Sequence, residues 1–413
     1  MNTDASNKAS LKRLQFCNFK LDCLLNITKA INDNVSTDSL LKRFERILRE
    51  DLNIGKVLIY TYNEKWECAL SSGFHRNIAR NIHVDNDLMY YTQITSLTTT
   101  LNPYLGTFDV IIPVFHHEQP ISYVIIGDID EERAGISPTI KHLHFIQTLT
   151  NIIVVAIENR RLFKDSVRQE SIKKELELAS KMQSMLIPNP SSLPDNPQIK
   201  VAAYYLPHSE VGGDYYDFMS LGKDEYGFCI ADVSGKGISA ALLMSNFQAN
   251  IRALFTSRTS LEKIVEKLNE RVIKNTNGEK FITLFIGRYN TETREIEYIN
   301  AGHNPPVLVD RNTNECQYLT TGCTGIGMFD EIPNIHIGKQ IAAVGMRLVC
   351  YTDGIVEMEN ENQIEFGTKL LESCLKSEAR IDLAIDKIID KLEQHKGQKK
   401  FFDDISILGM EFF

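Results

Sequence analysis

Several features that would assign this 413-residue chain to other classes of protein are absent from its sequence. No uninterrupted apolar stretch reaches membrane-spanning length, and the N-terminus has no apolar segment typical of a secretion signal. The formal net charge of -9 argues against non-specific nucleic-acid binding, which needs a basic face. The eight cysteines include no Cys-x-x-Cys pair, so we interpret them as small core residues in a reducing compartment. We therefore expect a cytoplasmic protein that binds neither membranes nor nucleic acid.

What the sequence does contain is a set of four short acidic motifs. They are Gly-Gly-Asp-Tyr-Tyr-Asp at 212–217, Asp-Val-Ser-Gly-Lys-Gly at 232–237, Thr-Asp-Gly at 352–354 and Asp-Asp-Ile-Ser at 403–406. Each adjoins a predicted strand, namely 200–205, 227–231, 346–351 and 405–410. One Asp beside Gly at a strand end is usually a turn residue. Four such ends in one segment can bring several carboxylates to one point, where they must take up protons or bind a cation. All-oxygen ligands favour Mg²⁺ or Mn²⁺ over zinc.

From about residue 176 to 413 the chain resembles the metal-dependent PP2C-like (PPM) serine/threonine phosphatases, in their bacterial SpoIIE and RsbU branch. Besides the acidic motifs, the matching segments are Asn-Ala-Gly-His-Asn-Pro-Pro at 300–306, Tyr-Thr-Asp-Gly-Ile-Val-Glu at 351–357 and Phe-Gly at 366–367. Their order and spacing fit as well. The resemblance implies a protein phosphatase whose substrate is a small phosphorylated anti-anti-sigma protein of the STAS type, within a partner-switching pathway.

The resemblance also implies roles for individual residues. Asp232 would bridge two Mn²⁺ or Mg²⁺ ions, and the carbonyl of Val233 would be a further ligand to one of them. Asp214 would hold one ion, and Asp353 and Asp403 the other. None of these acidic positions is replaced. An intact set of carboxylates argues against a catalytically inactive copy.

Three further residues are expected in supporting positions. Asp217 and Asp404 belong to the first and last acidic motifs. His303 lies between Gly and Asn-Pro-Pro, where it could donate to a phosphate or orient a ligand carboxylate. A purely structural role in capping the turn is an equally good interpretation of His303.

The chemistry implied by the resemblance requires no covalent intermediate. Two cations about 3.5–4 Å apart can hold a shared hydroxide and neutralise the phosphoryl oxygens. Accordingly, the chain has neither the Cys and Arg loop of tyrosine phosphatases nor an Asp-x-Asp-x-Thr motif. Two other functions stay open at this point. A scaffold could bind the phosphoprotein with little turnover, although the intact carboxylates weigh against it. A metallo-phosphatase could act on small metabolites, although we find no Walker loop or Arg-rich segment.

Residues 19–159 are predicted to form a separate α/β domain. Two amphipathic helices, 21–31 and 39–50, precede strands at 56–62, 66–69, 109–113 and 122–127, and a long helix begins near Pro138. This order resembles a GAF sensory domain. The signature of cyclic-nucleotide-binding members and a bilin-attaching cysteine are both missing, so its ligand is left open.

Residues 160–187 are predicted to be a helical connector. From Ser137 to Leu186 there is no Gly, and an unbroken helix would be roughly 70 Å long. Its heptad pattern is only partly apolar, with Gln169 and Gln183 at one seam position. A partly polar seam favours a marginal, coiled-coil-like homodimer that could change register. A single helix that merely joins two domains is the alternative.

Residues 188–413 are predicted to form the phosphatase domain. Strands at 281–289, 295–300 and 306–310 are typical of hairpins, and helices are predicted at 238–256, 260–276 and 380–395. Antiparallel strands with a few long helices indicate two packed sheets with helices outside. The whole chain is thus expected to be of mixed α/β (α+β) class.

Overall fold

The computed structural model of the chain describes residues 2–116, 118–129, 138–376 and 379–413. The chain divides into two compact units, residues 1–170 and 171–413. Within the described ranges, no helix combines the length and the apolar character needed to cross a membrane.

The N-terminal unit has one antiparallel sheet with helices on both sides. Its helices are α1 (Asn2–Asn32), α2 (Thr37–Arg46), α3 (Arg76–Arg80), α4 (Val84–Asp87) and the first part of α5 (Pro138–Ser184). Its strands are β1 (Ile54–Asn63), β2 (Lys65–Ser72), β3 (Thr95–Ser96), β4 (Val110–His116) and β5 (Gln119–Ile129). The strand order is β2-β1-β5-β4-β3. Each helix and strand predicted for this region is therefore present, and only the bounds differ.

The sheet of the N-terminal unit buries both of its faces. Residues such as Val57 and Ile59 pack with α1, α2 and the first part of α5, whereas Leu58 and Tyr60 pack against the segment that contains α3 and α4. This alternation follows from the period of two along a strand. Burial on both faces explains why the inner strands β1, β4 and β5 carry long apolar runs.

The second helix, predicted at 39–50, begins earlier and ends earlier than expected, as α2 (Thr37–Arg46). Ser36 caps α2, because its hydroxyl accepts a hydrogen bond from the backbone N–H of Ser39 at 3.3 Å. After Arg46 the helix widens into a π-helical turn, Ile47–Asp51, whose residues Ile47 and Leu48 are buried. Burial of both residues accounts for the wider turn better than helix propensity does.

Helix α5 is continuous over 47 residues, as the absence of Gly predicted. Many of its apolar side chains are exposed, for example Leu162 (47%), Ile172 (47%) and Leu178 (61%). One seam position departs from the prediction, because Gln183 is only 6% exposed and is buried within the C-terminal unit. Gln183 is therefore not a free seam residue.

The C-terminal unit contains two sheets, antiparallel except for the parallel pairing of β10 with β13, and five further helices in the described residues. The strands are β6 (Ile199–Leu206), β7 (Tyr215–Ser220), β8 (Glu225–Val233), β9 (Ile282–Asn290), β10 (Glu295–Ala301), β11 (Val307–Asp310), β12 (Glu315–Tyr318), β13 (Gly322–Cys323), β14 (Gly338–Ile341), β15 (Met346–Tyr351) and β16 (Ile405–Phe412). The helices are α6 (Ile238–Leu254), α7 (Leu261–Thr276), α8 (Asp353–Val356), α9 (Gly367–Leu375) and α10 (Ile381–Lys396).

The two sheets of this unit pack against each other. One has the order β13-β10-β9-β8-β7, with β14 also paired to β10, and the other has the order β12-β11-β15-β16-β6. Along β15, Leu348 and Cys350 belong to the core that also contains residues of the first sheet. Val349 and Tyr351 point to the opposite face and pack with α9 and α10. Helices α6 and α7 contribute buried residues to the first sheet's side of the core. The predicted sandwich with outer helices is confirmed.

Candidate metal centre

Four strand ends of the sandwich carry the carboxylates that the motifs singled out. Asp232 lies near the end of β8, opposite Thr283 of β9, and Asp214 directly precedes β7 in the same sheet. Asp353 begins α8 just after β15, and Asp403 lies just before β16, both in the second sheet. Two ligand positions thus come from each sheet. Their convergence depends on how the two sheets pack.

Three of these carboxyl groups have raised pKa values, to which the charges of neighbouring carboxylates contribute. Burial, followed by the charges of Asp353 and Asp403, raises the pKa of Asp232 to about 7. Burial and the neighbouring Asp232 carboxylate raise the pKa of Asp214 well above its usual range. Burial, then Asp403, raises that of Asp353. A cluster of buried carboxylates that repel one another gains most from a bound cation.

Asp404 does not face the other carboxylates as a free group but holds the turn that carries Asp214. Its Oδ2 accepts hydrogen bonds from the backbone N–H groups of Gly213 and Asp214, at 2.6 and 3.2 Å. Its Oδ1 accepts from the N–H of His208 at 2.7 Å. Asp404 therefore fixes the backbone of the first motif, as a supporting residue should.

The two glycines of the first motif are required by close contacts. A Cβ at Gly212 would lie 2.3 Å from the hydroxyl oxygen of Tyr205 and 2.5 Å from Oδ2 of Asp404. A Cβ at Gly213 would lie 3.1 Å from the carbonyl oxygen of Val233. The Val233 carbonyl, one of the predicted ligands, therefore faces the Gly213 turn. A larger residue at either glycine would displace the turn that carries Asp214.

Gln183, at the end of α5, also contacts this turn. Its amide Nε2 donates to the carbonyl of Gly212 at 2.6 Å, and the N–H of Gly212 donates to its Oε1 at 3.0 Å. The heptad pattern assigned Gln183 to a seam between two copies of the helix. A buried side-chain amide can satisfy both backbone groups of one residue, and no period in the sequence signals such a contact.

Asp217, predicted as a supporting residue, is fully buried in an ion pair. Arg252 donates from Nε to Oδ2 at 2.7 Å and from Nη2 to Oδ1 at 3.1 Å, and the hydroxyl of Tyr215 and the N–H of Phe218 also donate to it. Its oxygens are thus committed to hydrogen bonds inside the fold. Asp217 anchors α6 to β7, and its support of the site is indirect.

His303 lies behind the carboxylate cluster and is not on its surface. Its ring Nδ1 is 2.9 Å from the hydroxyl of Thr283, the residue paired with Asp232. The backbone N–H of His303 donates to Oδ1 of Asn300 at 2.8 Å. Burial lowers the pKa of His303 to about 4, so the ring is neutral near pH 7. With 5% exposure it cannot reach a substrate phosphate. These contacts favour the structural interpretation of His303, which stays a prediction.

Two hydroxyl residues that sequence reasoning did not single out support Asp214. The hydroxyl of Ser406 donates to Oδ2 of Asp214 at 2.6 Å. Thr352 accepts at its Oγ1 from the N–H of Ser406 at 3.0 Å, and its side chain also hydrogen-bonds Asp214. Both residues belong to the acidic motifs. Their place within the motifs was the signal that could have identified them.

The cluster has the right donors for a hard divalent ion. In the part of the chain that the structure describes, no group of three or more His, Cys, Asp or Glu side chains is arranged so that it could already hold a metal ion. One of the carboxylates, Asp403, is instead paired with Lys236, whose Nζ lies 2.8 Å from its Oδ2. The all-oxygen donor set and the raised pKa values fit Mg²⁺ or Mn²⁺. Small side-chain movements, including that of Lys236, would complete such a site.

Comparison with known proteins agrees with this geometry. Residues 222–413 match the family model described as Stage II sporulation protein E (SpoIIE). The SiaA-PP2C domain of Pseudomonas aeruginosa superimposes with a TM-score of 0.52 at 21% identity, over 60% of this chain and 99% of that domain. The C-terminal unit therefore matches the SpoIIE family model over residues 222–413 and has the fold of a PP2C domain.

Three relatives of known sequence match this chain over different lengths. Phosphoserine phosphatase RsbU of Bacillus subtilis is 29% identical over 194 residues, which are 47% of this chain and 57% of RsbU. Phosphoserine phosphatase RsbP of the same organism is 29% identical over 45% of this chain and 46% of its own length. Protein IcfG of Synechocystis is 26% identical over 72% of this chain and 51% of IcfG. The chain thus spans about half the length of these relatives.

The carboxyl pKa values predict that metal binding depends on pH. The pKa of Asp232 is about 7 in the folded protein, against roughly 3.9 in an unfolded chain. The folded state binds this proton more tightly than the unfolded chain does. The resulting stabilisation of the metal-free fold is therefore complete below the unfolded pKa of Asp232 and is lost as pH rises through about 7. Mn²⁺ competes with the same proton. We therefore expect Mn²⁺ affinity to rise, and metal-free stability to fall, between about pH 5 and about pH 8.

Calorimetric titration with Mn²⁺ in two buffers of different ionisation enthalpy would measure the proton released on binding. Thermal unfolding of the metal-free protein over the same pH range would measure the opposing change in stability. Mn²⁺ affinity that does not change with pH would contradict the assignment of Asp232 as a protonated ligand.

Proposed function

We propose that this protein is a Mn²⁺- or Mg²⁺-dependent phosphatase that removes phosphate from Ser or Thr of a partner protein. The observation that carries the proposal is the meeting of Asp214, Asp232, Asp353 and Asp403 at the strand ends of a PP2C-type sandwich. The match to the SpoIIE family model and the two phosphoserine phosphatases among the relatives support it.

In this proposal, carboxylates from both sheets hold two ions. Asp232 would contact both ions, Asp214 would hold one and Asp353 and Asp403 the other, and the carbonyl of Val233 would be a further ligand to one of them. When bound, two such ions supply a hydroxide nucleophile and neutralise the phosphoryl oxygens. Asp404 and Ser406 orient the ligands through the hydrogen bonds that they make to the Asp214 segment.

The proposed substrate is a small phosphorylated anti-anti-sigma protein of the STAS type in a partner-switching pathway. This substrate class comes from the motif resemblance, and the names of RsbU and RsbP as phosphoserine phosphatases support the chemistry. We propose further that the N-terminal unit is a GAF-like sensor. The connector helix would form a homodimer through exposed apolar residues such as Leu162 and Ile172.

A phosphate-release assay on three substrates tests the proposed function. With Mn²⁺, we expect release from a phosphoserine protein or peptide and from a generic aryl phosphate, but little release from a nucleotide. Excess chelator should abolish all release, because carboxylates alone cannot generate the hydroxide. Preference for the nucleotide would favour the small-metabolite enzyme. Binding of the phosphoprotein without turnover would favour the scaffold.

A further inference from the structure

Lys236 lies at the rim of the carboxylate cluster and is the residue that the proposed chemistry has not used. Its Nζ is 2.8 Å from Oδ2 of Asp403, and it also donates a hydrogen bond to the carbonyl of Phe402. The ammonium lies 5.5 Å from the centre of the Phe402 ring. The charged ammonium group of Lys236 therefore makes all of these contacts with Phe402 and Asp403.

This ion pair cannot persist unchanged when a divalent cation binds Asp403. The ammonium is bound to Oδ2 of Asp403, and Oδ1 already accepts from the N–H of Asp404 at 2.9 Å, so a metal ion must compete for these oxygens, and two cations that share one carboxylate repel each other. About half of the Lys236 side chain is exposed (51%), so it has solvent into which it can move. A lysine is a compact point charge on a flexible stem. Displacement from Asp403 would leave this charge at the mouth of the site.

The backbone around Lys236 holds it at that mouth. Gly235 and Gly237 on either side have φ angles of +87° and +74°, which residues with side chains rarely adopt. The loop is tied from below, because Nζ of Lys280 donates to the carbonyl of Ser234 at 2.9 Å and the hydroxyl of Ser234 accepts from the N–H of Phe281 at 3.0 Å. The movement required is thus one of the Lys236 side chain.

We propose that Lys236 binds the phosphoryl oxygens of the substrate after metal binding has released it from Asp403. This inference rests on the proposed phosphatase function and adds a phosphate-binding residue to it. In the metal-free protein the same ammonium neutralises Asp403 and competes with the metal ion. The ligand class is a phosphate monoester dianion or inorganic phosphate, whose charge suits a free ammonium beside two divalent ions.

The substitution Lys236→Met separates the two roles, because it removes the charge and keeps the length of the stem. Calorimetry on the full chain without substrate should show Mn²⁺ binding about two- to fivefold more tightly, since a partly exposed competing ion pair is lost. Inorganic phosphate should bind the Mn²⁺-loaded variant about tenfold to hundredfold more weakly, the value of a charge-assisted hydrogen bond. KM for an aryl phosphate should rise with it. Lys236→Arg should restore part of the phosphate affinity.

Lys339→Met is the matched control. Lys339 is 60% exposed and pairs with Glu295 and Glu297 on β10, outside the carboxylate cluster, so its loss should leave both affinities unchanged. Tighter Mn²⁺ binding by Lys236→Met with unchanged phosphate affinity would make Lys236 a counter-ion only and overturn the proposal. Weaker Mn²⁺ binding would overturn it as well. A wild-type protein that binds Mn²⁺ and phosphate but releases none from substrates would refute the phosphatase function and leave Lys236 testable by calorimetry.

Discussion

Replacing Asp232 by Asn should lower metal-dependent turnover by about 10³-fold while the fold stays intact. Asp232 is the residue proposed to contact both ions, so the amide would weaken both positions at once. A loss of about 4 kcal/mol of transition-state stabilisation corresponds to this factor. Removing a buried carboxyl from a group of mutually repelling carboxylates should not destabilise the metal-free protein. Its free energy of unfolding should stay equal or increase slightly.

The measurements are phosphate release at saturating Mn²⁺ and thermal unfolding with and without the metal. Asp390→Asn, at an exposed position of α10, is a matched control that should preserve both activity and the metal-induced rise in Tm. Near-normal turnover by Asp232→Asn at saturating Mn²⁺ would sink the assignment of Asp232 as the bridging ligand.

Replacing Gln183 by Leu should lower turnover about 10- to 100-fold without touching a ligand. The substitution removes both hydrogen bonds to Gly212 and leaves its buried N–H and carbonyl groups without these partners, at a cost of about 1–3 kcal/mol per group. Gly212 lies two residues before Asp214, so the ligand would lose the support of its turn. Residues that orient metal ligands typically contribute this factor to affinity or activity.

Gln169→Leu provides the comparison, because Gln169 lies on the same helix and is exposed. From the heptad pattern alone, replacing both glutamines by Leu should strengthen a dimer and lock one output state. The buried contact of Gln183 separates the two positions. We now expect only Gln169→Leu to affect dimer affinity, measured by sedimentation, and only Gln183→Leu to weaken Mn²⁺ binding. Identical behaviour of the two variants would refute this division of roles.

The sequence predicted the strands and long helices well, because their apolar periods are strong and their ends carry Gly, Pro or Asp. It did not predict that the first motif lies partly within β7, where Asp217 pairs with Arg252. A carboxylate bound by an arginine of a distant helix has the same local sequence as a metal ligand. For the same reason, sequence alone left His303 undecided between a phosphate contact and a structural turn. Only the packing of Thr283 against its ring distinguishes the two.

The contribution of Gln183 could not be predicted for a different physical reason. Helical periodicity describes which face a residue occupies but not what covers that face. Gln183 and Gly212 are 29 positions apart and belong to different elements of the C-terminal unit. Ser406 and Asp214 are 192 positions apart. Such contacts depend on the completed sandwich, and a polar side chain in an apolar pattern was the only local sign of one of them.

The position of β16 in its sheet has a consequence for how the protein folds during its synthesis on the ribosome. This strand pairs with β15 on one side and with β6 on the other. Until β16 has emerged, β6 therefore has no strand that joins it to β15. Asp403 and Asp404 directly precede β16, and the Asp404 contact with Gly213 spans 191 positions. A nascent chain that still lacks this segment has neither a closed sheet nor a complete set of carboxylates. The proposed phosphatase activity should therefore begin only after β16 has left the exit tunnel.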